Sequence, residues 1–252
     1  MDLQLTGTRV LVTGGTRGIG RAIVEGFLAE GAFVGFCARD ADEVSATQQA
    51  LQDRGSVTGS VVDVGDGDAL AAWVAESAEA LGGLDVVVAN VSALAIPDTE
   101  ENWQASLNVD LMHTVRLVRA AMPYLERSEA PSIIAISSVS GRESDFASGP
   151  YGTAKTAIVG YINGLALQLA EKGIRANTVS PGNTYFEGGV WAGIESGNPD
   201  LFTMAVGLNP TGHMGTPEEV AAPVVFLASP QARRVSGTNL VVDGALTRGI
   251  QL

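Results

Sequence analysis

Lysine is nearly missing from this sequence: only Lys155 and Lys172 occur, and arginine supplies the rest of the 15 basic residues. Against them stand 28 acidic residues, a formal net charge of −13, and no run of Lys or Arg tracks a phosphate backbone. Nucleic acid and anionic membrane are therefore not expected partners, and the acidity reads as serving solubility. Cysteine occurs once, as Cys37, which excludes an internal disulfide. No apolar run approaches a membrane span, and the start MDLQLTGTRV lacks the basic and apolar segments of a signal peptide. A cytoplasmic protein is expected. The two histidines, His113 and His213, lack metal-ligand spacing, so both read as structural or surface residues and no metal is expected. Aromatics make up only 6% of the chain, so any local concentration of them carries information.

What is present is an alternation. Short β-branched runs (RVLVT at 9–13, FVGFCA at 33–38, VTGSVV at 57–62, LDVVVAN at 84–90, SIIAIS at 132–137, IRANTVS at 174–180, TNLVVD at 238–243) are separated by helical spacing. The intervening helical segments lie near 19–30, 41–53, 66–81, 99–126, 151–172 and 216–228. Several strands are apolar on both faces, which suits central parallel strands covered by helices on each side. The expected fold is therefore α/β: a single-domain, doubly wound Rossmann sheet of about seven parallel strands spanning residues 1–252. Thr216, Pro217, Glu218 and Glu219 read as a helix start, and Gly173 as a helix stop. The one long stretch without clear periodicity, about 181–215, reads as a substrate-binding lid from about 183 to 215.

The first strand runs into TGGTRGIGRAI. A glycine-rich turn can be plain strand-to-helix geometry; after the first strand of a β-α-β unit it favours a dinucleotide, whose pyrophosphate sits at the helix N-terminus. The expected cofactor residues of this turn are Gly14, Thr16, Arg17, Gly18, Ile19 and Gly20. At the end of the second strand an acid would bind a ribose 2′-hydroxyl and a basic residue a 2′-phosphate. The stretch reads CARD, with Ala38 at the acid's place followed by Arg39, and Arg17 offers a second charge. NADP(H) is therefore expected over NAD(H), although Asp40 offers Arg39 an alternative surface partner.

Tyr151 and Lys155 are four apart in a helical segment and so share a face. With four tyrosines and two lysines, chance supplies that spacing roughly 0.03 times in a chain of this length. A free phenol titrates near pH 10, and a fixed ammonium beside it stabilises the phenolate, bringing it toward the range useful for proton transfer. A compact ammonium also reaches places that the broad guanidinium fork does not, which gives a reason for a lysine in an arginine-rich chain.

At this point the sequence resembles the short-chain dehydrogenase/reductase family over nearly its whole length. TGGTRGIG matches the family's TGxxxGxG, YGTAK its YxxxK, and ISSVSG the segment carrying its active-site serine. Ser138 lies 13 residues before Tyr151; Asn108 in SLNVD matches the asparagine completing the family's tetrad; Pro181-Gly182 match its PG turn. The resemblance implies that Tyr151 exchanges the proton, Ser138 bonds the substrate carbonyl, Lys155 holds the nicotinamide ribose and tunes Tyr151, and Asn108 holds a relay water. It places Asp63 near the adenine, counts Val64 and Asn90 among the cofactor-binding residues, and gives Thr184 the carboxamide contact. It also implies a homotetramer or homodimer, with the helices at 99–126 and 151–172 packing across subunits. Where the family has NNAG after the fourth strand, this chain has Ala89-Asn90-Val91-Ser92. The Ser92 hydroxyl either contacts ribose or substrate or is a neutral substitution. The substrate pocket is assigned to Ser92, Phe146, Tyr185, Phe186 and Trp191. Together with Phe202 and Met204, the lid's large side chains read either as internal packing or as the wall of a site for an apolar, cyclic or aromatic substrate.

The expected function is an NADP(H)-dependent carbonyl reductase interconverting a ketone and a secondary alcohol. The alternatives are reduction of an acyl group on a carrier protein, and a cofactor-sensing protein without chemistry. A sensor needs the glycine turn but not Tyr151 and Lys155.

Overall fold

The computed structural model describes residues 1–249. The chain alternates strand and helix: β1 (Arg9–Thr13), α1 (Gly18–Ala29), β2 (Phe33–Ala38), α2 (Ala41–Leu51), β3 (Val57–Val61), α3 (Gly67–Ala80) and β4 (Val86–Ala89). Then follow α4 (Glu100–Ala105), α5 (His113–Leu125), β5 (Ser132–Ile136), α6 (Pro150–Leu169) and β6 (Arg175–Pro181). The chain continues with α7 (Val190–Gly197), α8 (Pro199–Leu208), α9 (Pro217–Ala228) and β7 (Asn239–Val242). All strand pairs are parallel, in the order β3-β2-β1-β4-β5-β6-β7.

Alternation along each strand builds two cores. Val10, Val12, Val86 and Val88 face one side, where Ile23 and Phe27 of α1 and Val220 and Val224 of α9 cover them. Leu11, Val87 and Ala89 face the other, against Leu70 and Val74 of α3, Leu117 and Val118 of α5, and Ile158 and Ile162 of α6. Each of these side chains is buried, and full burial stabilises a Val, Leu, Ile or Phe by about 1.5 to 3 kcal/mol. Because the strand order reverses between β1 and β4, their adjacent carboxyl ends diverge into opposite crossovers and leave a crevice, where ligands of such sheets bind.

The helix boundaries follow local chemistry. Thr216 and Glu219 form a reciprocal capping box at the start of α9, and Gly173 adopts φ +72 after α6 and its terminal turn. Two segments differ from the sequence reading. The helix expected over 99–126 is broken by a π-helical segment, Ser106–Met112, between α4 and α5. The stretch without clear periodicity contains α7 and α8. At 8 and 10 residues they are too short to carry a long apolar stripe, and α7 buries no residue and α8 only Ala205. Local signals do mark α8: Pro199 opens it, and the Asn198 side chain accepts from the Leu201 N–H.

Candidate active site

The carboxyl ends of β1, β2, β4, β5 and β6 open into one cleft of about 580 Å³. At its β1 end the glycine turn is held by Asn90. The Asn90 amide donates to the Thr13 and Gly14 carbonyls at 3.1 and 3.3 Å, and its backbone N–H donates to Thr13 Oγ1 at 3.0 Å. Gly14 and Gly18 adopt φ +71 and +52. A methyl group on Gly20 would come within 2.5 Å of Asn90 Nδ2 and closer still to the Gly14 carbonyl oxygen. No side chain caps α1, which leaves the first N–H groups of that helix to an outside acceptor. A cradle that excludes a Cβ, closed by uncapped helix donors, fits a pyrophosphate.

Arg17 and Arg39 are exposed and line the cleft near Thr16, and neither makes an ion pair among the described residues. Asp40 does not neutralise Arg39: its carboxylate caps α2 by accepting from the Glu43 N–H at 2.9 Å. Glu43, which the sequence reading passed over, accepts from the Thr16 hydroxyl at 2.8 Å and adds a carboxylate to this end. Ile19 and the buried Val64 line the cleft, whereas the exposed Asp63 does not and accepts from the Gly65 N–H.

Tyr151 and Lys155 lie on the first turns of α6, and the ammonium stands 5.6 Å from the Tyr151 ring centroid. Lys155 is 2% exposed; its Nζ donates to the Ile136 carbonyl at 3.0 Å. Ser137 donates to the Lys155 carbonyl at 2.8 Å, tying the end of β5 to α6, and Ser138 shares the cleft wall with Tyr151. The two elements approach this closely because Gly152 has no side chain; a Cβ there would lie 2.8 Å from the Ser140 carbonyl oxygen.

Asn108 does not join this group. Its amide donates to the Gly65 carbonyl at 3.2 Å and its oxygen accepts from Arg116 at 2.7 Å, on the α3 side. Asp110 instead meets Lys155, with Oδ1 3.3 Å from Nζ. Residues two apart on a helix point to nearly opposite sides, so only one of the pair can turn toward Lys155. The buried stripe Ser106, Asp110, His113, Thr114, Leu117, Val118, Ala121 and Leu125 was the signal for Asp110, and Asn108 lies off it. His113 is fully buried between Val109 and Thr13, 3.1 Å from the Val109 carbonyl and 3.0 Å from Thr13 Oγ1. Burial, with the nearby Lys155 charge, depresses its imidazole to about 3. Neutral at ordinary pH, His113 ties α5 to the end of β1.

The lid supplies the remaining wall. Phe186 lies over the glycine turn, so close that a Cβ on Gly18 would be 2.5 Å from its Cζ. Trp191 meets Phe146 edge to face at 6.2 Å, and both line the cleft. Tyr185 is directed elsewhere: its hydroxyl donates to Glu195 at 2.6 Å and its ring packs on Phe202. Ser92 Oγ accepts from the Leu94 N–H at 3.0 Å, holding Leu94 at φ +50 on the cleft wall. Pro181, Gly182 and Thr184 line the cleft after β6, and the Thr184 hydroxyl donates to the Gly182 carbonyl.

A family model described as enoyl-(acyl carrier protein) reductase matches residues 14–247. Isoepoxydon dehydrogenase of Penicillium expansum is 42% identical over 254 residues, covering 98% of this chain and 97% of that protein. An NADPH-bound short chain oxidoreductase of Pseudomonas aeruginosa, containing an atypical catalytic center, superposes with a TM-score of 0.89 at 29% identity, covering 97% of this chain and 99% of that one. L-Sorbose reductase of Gluconobacter frateurii, complexed with NADPH and L-sorbose, gives 0.90 at 26% identity, covering 99% and 100%.

Proposed function

This chain belongs to the short-chain dehydrogenase/reductase family, and from that premise we propose that it is an NADP(H)-dependent oxidoreductase interconverting a ketone and a secondary alcohol, with Tyr151 as general acid/base. The observation that carries the reading is the convergence of Tyr151, Lys155 and Ser138 at one end of a cleft whose other end is the glycine cradle.

In this reading Gly14, Gly18, Gly20 and the N-terminus of α1 hold the pyrophosphate, and Arg17 and Arg39 meet a 2′-phosphate with charge-assisted hydrogen bonds. When bound, the nicotinamide supplies or takes up the hydride. The Ser138 hydroxyl donates to the carbonyl oxygen and orients it toward the Tyr151 hydroxyl. During reduction Tyr151 gives its phenolic proton to that oxygen; during oxidation it takes the alcohol proton. The Lys155 ammonium favours the phenolate left behind, which lowers the cost of either transfer. The Asn108 amide, engaged by Gly65 and Arg116, leaves the relay-water role to other groups. Trp191, Phe146 and Leu94 give the substrate an apolar wall, which supports a compact apolar or cyclic carbonyl compound.

The description of the matching family model favours a second reading, reduction of an acyl group on a carrier protein; the net charge of −13 weighs against an acidic carrier. Self-association as a homotetramer or homodimer is supported by exposed Leu107, ahead of α5, and Leu167 on α6. A panel of ketones, alcohols and 3-oxoacyl thioesters, with isoepoxydon among them, tests the function with NADPH and NADH in parallel. Substrate-dependent change at the reduced-nicotinamide absorbance, faster with the phosphorylated cofactor, is expected. No change with either cofactor overturns the enzyme reading, and faster turnover with the NAD(H) pair overturns the cofactor preference.

A further inference from the structure

Lys155 is countered by a carboxylate that the family resemblance did not supply. Asp110 is fully buried, its Oδ1 lies 3.3 Å from Lys155 Nζ, and its Oδ2 accepts from the Ala93 N–H at 3.2 Å. Oδ1 has no directed hydrogen bond among the described residues, so the ammonium is its neutralising neighbour. The Lys155 ammonium is fixed in turn by the Ile136 carbonyl and stands over the Tyr151 ring. The Asp110 carboxylate thus reaches the Tyr151 hydroxyl through Lys155 rather than by touching it.

We propose that Asp110 is a positioning residue that sets the working pH of the proton-transfer pair: its carboxylate offsets the Lys155 ammonium, keeps Tyr151 protonated at neutral pH and favours carbonyl reduction over alcohol oxidation. The inference rests on the proposed role of Tyr151. Among the described residues, the charged and titratable groups around this pair include Asp145, which lines the cleft with Tyr151 and accepts from the Ser140 hydroxyl. From α6 come Lys155 and Tyr151; from α5 come His113, buried and neutral, and Arg116, whose guanidinium is turned to Asn108 and Gly65. Glu100 and Glu101 of α4 are exposed. A carboxylate beside the ammonium weakens the field that favours a phenolate, whereas an amide in its place leaves that field intact.

The test is Asp110→Asn, which keeps the size of the side chain and an oxygen for the Ala93 N–H, with Asp110→Ser as a smaller second variant should the amide pack poorly. Two readouts are taken. The first is the rise of tyrosinate absorbance with pH, the Tyr151 component being the part removed by Tyr151→Phe; it needs neither cofactor nor substrate. The second is the pH profile of turnover with the substrate found in the screen. Both should move to lower pH, and oxidation at neutral pH should gain relative to reduction. An unmoved or alkaline-shifted Tyr151 component overturns the role of Asp110. Turnover retained in Tyr151→Phe overturns the underlying reading instead, and the two failures are told apart because the absorbance titration is independent of activity.

Discussion

Acidification from pH 7 to pH 5 should cost this protein stability at one identifiable group, His113. The imidazole is buried on α5 and held neutral: burial is the largest cause, the Lys155 ammonium adds to it, the Val109 carbonyl opposes it, and the result is a group depressed from 6.5 to about 3. In the unfolded chain the ring takes up a proton below 6.5, while in the folded chain it does not until about 3. Between those limits the unfolded state binds more protons, so stability falls as pH falls. With those two values, the loss at pH 5 is about 2 kcal/mol relative to pH 7. In a domain of this size that corresponds to a drop in Tm of about 4 to 8 °C. Carboxylates contribute their own pH dependence, so the informative quantity is the difference between wild type and His113→Gln, whose side chain cannot gain the proton. Thermal unfolding of both proteins at pH 7 and pH 5 measures it. The variant should be less stable at pH 7, having lost a fitted partner of Thr13, but should lose about 2 kcal/mol less on acidification. If both proteins lose the same amount, His113 is not held neutral and the reasoning fails.

Three further outcomes follow from the geometry. Gly20→Ala forces a methyl group into the space of Asn90 Nδ2 and the Gly14 carbonyl; NADPH affinity, read by fluorescence titration, should fall about tenfold or more, while unaltered affinity would contradict the cradle. Arg39→Asp, at the exposed end of β2, should lower the preference for NADPH over NADH by about tenfold or more through the lost charge-assisted bond, measured as the ratio of kcat/KM values. Asp85, away from the cleft, accepts from the Arg9 backbone and guanidinium and from Ser128; Asp85→Asn should cost about 2 kcal/mol in urea unfolding, with kcat little changed.

Much of the fold was legible because the sheet is parallel and buried on both faces. Runs such as VVVA in β4 and SIIAI in β5 cannot be surface strands, and the helices between them carry apolar stripes. The Tyr151–Lys155 spacing was legible because it is local, four residues on one helix. Asn108 shows where local matching stops. A motif match says which segment approaches the site but not which face of it does, and the π-helical turn at Ser106–Met112 alters the rotation per residue there. Asp110 could have been found from its place on the buried stripe that continues through His113 and Leu117. The lid helices were illegible for the opposite reason: α7 and α8 are only 8 and 10 residues long and bury almost nothing, so too few apolar positions mark them as helices. Tyr185 shows the same limit, since its Glu195 partner ten residues away depends on how α7 folds back.

The central claim is that Tyr151 transfers the proton in a site built around a nicotinamide cofactor. Its most direct test is Tyr151→Phe, which removes one oxygen from the end of a ring whose position against Lys155 is otherwise retained. NADPH binding and steady-state turnover are measured together on the variant and the wild type. The account predicts cofactor affinity within about threefold of wild type and turnover reduced by about 10²-fold or more. Turnover close to that of the wild type, with the cofactor bound, would contradict it.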